Sequence, residues 1–92
     1  MLEAVGATRI RRSARISTPG NTNHEMGTAR MGRDPRTSVL NGWNQAWDVS
    51  NLFVTDGACM TSSGNQNPSL TYMALTARAC HYAVDAMKRG DL

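Results

Sequence analysis

Leu70, Met73, Ala77, Cys80, Val84 and Met87 fall three or four residues apart and so line one face of a helix. Asn67, just before the run, is a preferred N-cap residue, and Pro68 suits the first helical position. Lys88 and Arg89 stand where cations favour the helix dipole, and Gly90 can close the C-terminus. The pattern predicts a helix over 68–88, with 89–92 as a tail. A helix with such a stripe needs something to pack against. The chain's 92 residues provide little: 40% are hydrophobic but only 5% aromatic, with Phe53 the single phenylalanine. Six methionines and many alanines give thin, adaptable packing. A chain of this length buries only about 60% of its unfolded surface. It reads as part of a larger globule.

The remainder is loop-rich. Residues 1–22 alternate weakly, carry Arg9, Arg11, Arg12 and Arg15, and end in the turn-forming "STPGNTN". They read as a basic N-terminal strand or arm. His24 to Gly32 is punctuated by glycine, and "RDPRTSVLNGWN" holds turn signals at Asp34-Pro35 and Asn41-Gly42, with a short strand possible at Ser38 to Leu40. "NLFVTDGA" is the best strand candidate, at 51–56: Leu52, Phe53 and Val54 are apolar, aromatic or β-branched, and Asp56-Gly57 ends the run. The expected class is an α+β fragment, with short strands and one long C-terminal helix.

Several function classes lose support. The net charge is +3, and the arginine cluster could meet an anion. No stacking aromatics accompany it and no helix-turn-helix pattern follows, so nucleic acid is not an expected partner. Cys59 and Cys80 cannot make a disulfide framework. With His24 and His81 they match no zinc spacing, so no metal is expected. No apolar span of about 20 residues occurs, and no signal-like segment opens the chain. The compartment, cytoplasmic or periplasmic, stays open.

Taken singly, His24 is a loop histidine, Asn67 a helix cap and Asp56-Gly57 a turn. Together, "HEMGTARMG", "NLFVTDGA" and "NQNPSLTYMALTARA" resemble, in order and spacing, the C-terminal segment of the glucose-methanol-choline (GMC) flavoprotein oxidoreductases. The likeness covers roughly 23–88. It implies that the chain completes the FAD domain of a larger α/β flavoprotein that oxidises an alcohol or sugar. His24 would be the base that takes the hydroxyl proton, a task suited to imidazole near neutral pH. Asn67 would hydrogen-bond the substrate oxygen with an amide that does not titrate. Asp56, Gly57 and Ala58 would lie by FAD, with Pro68 and Ser69 at the flavin's pyrimidine edge, where a helix N-terminus favours negative charge.

Two features depart from the family pattern. Many relatives carry Ser and Pro after Asp-Gly, where this chain reads "ACMTSS", and the second catalytic position is Asn rather than His. The dinucleotide-binding G-x-G-x-x-G turn is absent from these residues. The expectation is a chain that neither holds FAD tightly nor turns over substrate by itself, and that needs an N-terminal FAD-binding portion. The competing readings are a small basic nucleic-acid-binding protein using the arginines and a helix-docking module using the stripe.

Overall fold

Ser69–Arg89 is 21 residues without glycine or proline, and it forms the one long element, helix α1. The computed structural model describes all 92 residues. Single 3-10 turns at Glu3–Val5 and Gly57–Cys59 are its only other regular elements. Gly90 closes α1 in the left-handed region, its N–H donating to the carbonyls of Ala86 and Met87.

The start of α1 differs from expectation. Pro68 itself occupies the cap position, is buried, and offers no side-chain cap bond. Asn67 stands one residue outside the helix and is exposed. The Pro68 backbone, at φ −91° and ψ 6°, is itself not helical, so the helix opens one residue later and Asn67 stays one step short of the capping position.

The expected strands do not form. Over 51–56 only Phe53 pairs, through an isolated bridge to Gln45, and Leu40 bridges singly to Met31 and to Ala46. The structure is one helix on a pinned loop rather than α+β with strands. A strand needs a neighbour along its length, and each pass here meets only a short partner. Hydrogen bonds still hold the passes in register: Gly32 N–H to the Leu40 carbonyl (2.8 Å), Asn41 N–H to Gln45 (2.8 Å) and Ala46 N–H to Leu52 (2.9 Å). The turns at Asp34 and Asn41 form as expected. The Asp34 carbonyl accepts from the N–H groups of Thr37 and Ser38, and the Asn41 Oδ1 accepts from Trp43 N–H.

Residues 1–22 are exposed throughout and form an arm with no ladder. The molecule is accordingly long, 63 × 27 × 20 Å, with a radius of gyration of 18.5 Å. A compact chain of this length would have about 12 Å. Only 8 of the 92 residues are buried, too few for a self-sufficient core. The small core joins Leu40, Ala46 and Cys59, flanked by Ala29, Met31, Val54, Met60 and Leu75.

Helix α1 docks on this core by its small face. Ala79 and Ala86 are buried, and Tyr72, Leu75, Thr76, Tyr82 and Ala83 are half-buried. Tyr82 stacks on Trp43 at 5.1 Å between ring centres and meets Phe53 edge-on. The stripe from Leu70 to Met87 points outward. The helical period is as expected, but the chain's own packing uses a different face.

Asn44 ties the helix to the loops. It is fully buried and sits at φ 65°, in the left-handed region that Asn tolerates better than most residues. Its amide donates to the Val54 carbonyl (2.9 Å) and its Oδ1 accepts from the Arg78 guanidinium (3.0 Å). Arg78 also lies over the Trp43 ring.

Candidate active-site edge

Three stretches far apart in sequence meet around Gly57. A Cβ on that residue would stand 2.7 Å from the Glu25 carbonyl oxygen, 2.7 Å from the Tyr72 hydroxyl oxygen and 3.2 Å from the Met26 sulfur. Only glycine permits this approach. The Tyr72 hydroxyl also reaches the Met26 sulfur at 3.6 Å. The histidine loop, the Asp-Gly turn and the first turn of α1 are therefore packed against one another.

Backbone pairing keeps the histidine loop in place. Ala29 N–H donates to the Ala58 carbonyl (3.1 Å) and Met31 N–H to the Cys59 carbonyl (2.8 Å). Gly27, at φ 89°, lies in the left-handed region over the carbonyls of Met60 and Thr61. On the other side, the Thr76 hydroxyl bonds the Tyr72 carbonyl at 2.8 Å and touches the Thr55 carbonyl at 3.5 Å, which sets α1 against the residues leading to Asp56.

His24 is half-buried, two residues before the Met26 contact, and its backbone N–H donates to the Thr22 hydroxyl at 3.4 Å. Its imidazole is left free of protein hydrogen bonds. Asn67 is exposed beside the start of α1, and its amide likewise has no protein partner. No hydrogen bond joins the two side chains, and neither lines a recess. The largest concavity, about 360 Å³, lies at the other end of α1 among Trp43, Arg78, His81, Tyr82 and Arg89. The contacts around Gly57 thus join the loop that carries His24 to the helix that Asn67 precedes, without joining the two side chains.

Asp56 has a structural job as well as an exposed carboxylate. Its Oδ1 accepts from Ala58 N–H at 3.0 Å and shapes the 3-10 turn. At the start of α1, the N–H groups of Ser69, Leu70 and Thr71 have no acceptor in the protein, and no acidic side chain stands in the first turn. That end of the helix presents free donors and positive potential. This donor set fits an electron-rich ligand edge such as that of a flavin. Below it, burial pushes the Cys59 thiol up, partly offset by its contact with Asn44.

Sequence reasoning did not find Tyr72, Met26, Asn44 or Arg78. Tyr72 lies off the apolar stripe that marked the helix, and nothing local flags Met26. The cluster "NGWN" is the one available hint for Asn44, because Asn tolerates positive φ.

A family model described as GMC oxidoreductase matches residues 4–76, which takes in the arm, the histidine loop, the Asp-Gly turn and the start of α1. The match extends to the arm, where the sequence motifs had begun only at 23. The chain is 46% identical over 79 residues to the 2-methyl-1,2-propanediol dehydrogenase of Mycolicibacterium austroafricanum, covering 86% of this chain and 14% of that protein. It is 41% identical over 88 residues to the fructose dehydrogenase large subunit of Gluconobacter japonicus, covering 96% of this chain and 16% of the relative. The gluconate 2-dehydrogenase flavoprotein of Pantoea cypripedii is 40% identical over 60 residues, 65% of this chain and 10% of its own length. The chain thus spans no more than 16% of the length of these relatives. With the family model covering its three converging stretches, the chain belongs to the GMC oxidoreductase family.

Proposed function

We propose that the chain supplies the substrate-facing edge of an FAD-dependent oxidoreductase acting on the CH–OH group of a small alcohol, sugar or polyol. The observation that carries the proposal is the packing around Gly57, which holds the histidine loop against the start of α1. His24, with an imidazole free of protein partners, takes the hydroxyl proton. Asn67 hydrogen-bonds the substrate oxygen, and Pro68, buried and stiff, fixes where that amide begins.

Asp56, Gly57 and Ala58 form one wall of the FAD site, and the free N–H groups from Ser69 onward form another. FAD, when bound, supplies the acceptor for the hydride that leaves the carbon. The helix start stabilises negative charge that gathers beside it. The N-terminal FAD-binding portion of the family completes the enzyme, since these residues cover only one side of a cofactor.

The relatives' names support the substrate class, being those of dehydrogenases of a diol, a sugar and a sugar acid. The test is a chimaera in which this chain replaces the matching segment of the diol dehydrogenase. The proposal expects the chimaera to hold flavin and oxidise 2-methyl-1,2-propanediol, and the 92-residue chain alone to hold no stoichiometric flavin. A chimaera that folds and keeps flavin but never oxidises the diol would contradict it.

A further inference from the structure

Two side-chain hydrogen bonds join the histidine loop to α1, and both end on methionine sulfur. The Tyr72 hydroxyl donates to the Met26 sulfur at 3.6 Å, and the Arg78 guanidinium donates to the Met31 sulfur at 3.4 Å. The two ends of the loop are held unequally. At the far end, the N–H groups of Ala29 and Met31 also bond the carbonyls of Ala58 and Cys59. At the near end, beside His24, the Tyr72 contact has no such support. The His24 N–H reaches only the neighbouring Thr22 hydroxyl, at 3.4 Å.

Gly27 separates the two ends. At φ 89° it lies in the left-handed region, which glycine enters and leaves at little cost. A loop that turns at Gly27 carries His24 with it unless Met26 is held. Tyr72 is placed to hold it. Its N–H donates to the Pro68 carbonyl at 3.0 Å, so it belongs to the turn that directly follows Asn67. Its half-buried ring therefore links the turn after Asn67 to the residue two places after His24.

We propose that Tyr72 is a positioning residue for the reaction: through Met26 it sets His24 against the start of α1. The inference rests on the reading of His24 as the base. Sulfur suits the task, being a weak, polarizable acceptor on a side chain that packs well against an aromatic ring. The contact fixes the loop without adding a charge. A base held out of place by about 1 Å can lose about 10²-fold in rate, so a soft tie of this kind is enough to matter.

The test compares four forms of the diol-dehydrogenase chimaera: unsubstituted, Tyr72→Phe, Met26→Leu and the double variant. For each, kcat and KM for 2-methyl-1,2-propanediol are measured with flavin content on the same preparation. Each single substitution should lower kcat about tenfold, within the range that a sub-ångström misplacement allows, and leave KM and flavin content within about twofold. The double variant should fall no further than the lower single, because either change breaks the same contact. In a His24→Gln background, Tyr72→Phe should cost nothing more, since no base is left to place. A kcat for Tyr72→Phe within about twofold of the unsubstituted chimaera would overturn the proposal. So would losses that multiply in the double variant, or an undiminished loss in the His24→Gln background. Met26→Leu nearly conserves volume. Should Tyr72→Phe fail to fold, Met26→Leu decides alone, and an unchanged kcat overturns the proposal. Failure of the base reading shows separately, as full activity in the chimaera carrying His24→Gln alone.

Discussion

The hydroxyl of Tyr72 fills the space where a Cβ on Gly57 would stand, 2.7 Å away, with the Glu25 carbonyl as close on another side. Gly57→Ala should therefore push the histidine loop and the start of α1 apart. Overpacking of this kind costs about 1–3 kcal/mol. Urea unfolding of the chimaera measures it. Tyr72→Phe in the same background should recover only part of the loss, because the backbone of Glu25 cannot retreat as a side chain can.

Asn44 makes a second test of the scaffold. Asn44→Ala leaves the Val54 carbonyl and the Arg78 guanidinium without their buried partner. An unsatisfied buried group costs about 1–3 kcal/mol, and a left-handed alanine adds roughly 1 kcal/mol. Asn44→Gly removes the backbone strain but not the lost bonds, and should fall between wild type and alanine. Trp43, stacked on Tyr82 and beside Arg78, offers a fluorescence signal for the midpoints.

The two cysteines should differ in reactivity. Cys80 is exposed, whereas Cys59 is fully buried with its thiol pushed up by that burial. Alkylation of the chain at mildly alkaline pH should label Cys80 and spare Cys59 until denaturant is added. The linkage has a definite sign. The unfolded thiol ionises near pH 8.5 and the folded one higher, so stability attributable to Cys59 falls as pH rises above about 8.5. Cys59→Ala should flatten that fall in pH-dependent unfolding.

With 8 buried residues and an exposed arm, the isolated chain should melt without a sharp transition. Circular dichroism at the helix band should decline gradually with temperature, while the chimaera unfolds cooperatively. A steep, reversible transition of the monomeric chain alone would show that it folds independently.

Helix α1 was legible because proline, glycine and a sustained period mark its ends and face. Which face would be covered was not, since periodicity identifies apolar residues without naming their partner. The small alanines at 79 and 86 took the inside, and Leu70 and Met73 the outside. The segment at Leu52 to Val54 has strand-forming residues, yet strand structure depends on neighbours that these 92 residues do not provide. The expected capping role of Asn67 failed because the Pro68 backbone, at ψ 6°, is not helical and itself takes the cap position. The candidate site was visible as three motifs. Their meeting at Gly57 depends on long-range contacts of Met26 and Tyr72, which no local pattern encodes.

His24 is proposed to act as the base at an edge completed by the rest of the enzyme. The most direct measurement is kcat/KM for the diol in the chimaera carrying His24→Gln, with flavin content determined on the same preparation. The expected result is a loss of about 10²–10⁴-fold with flavin retained. Activity within twofold of the unsubstituted chimaera, at equal flavin content, would contradict it.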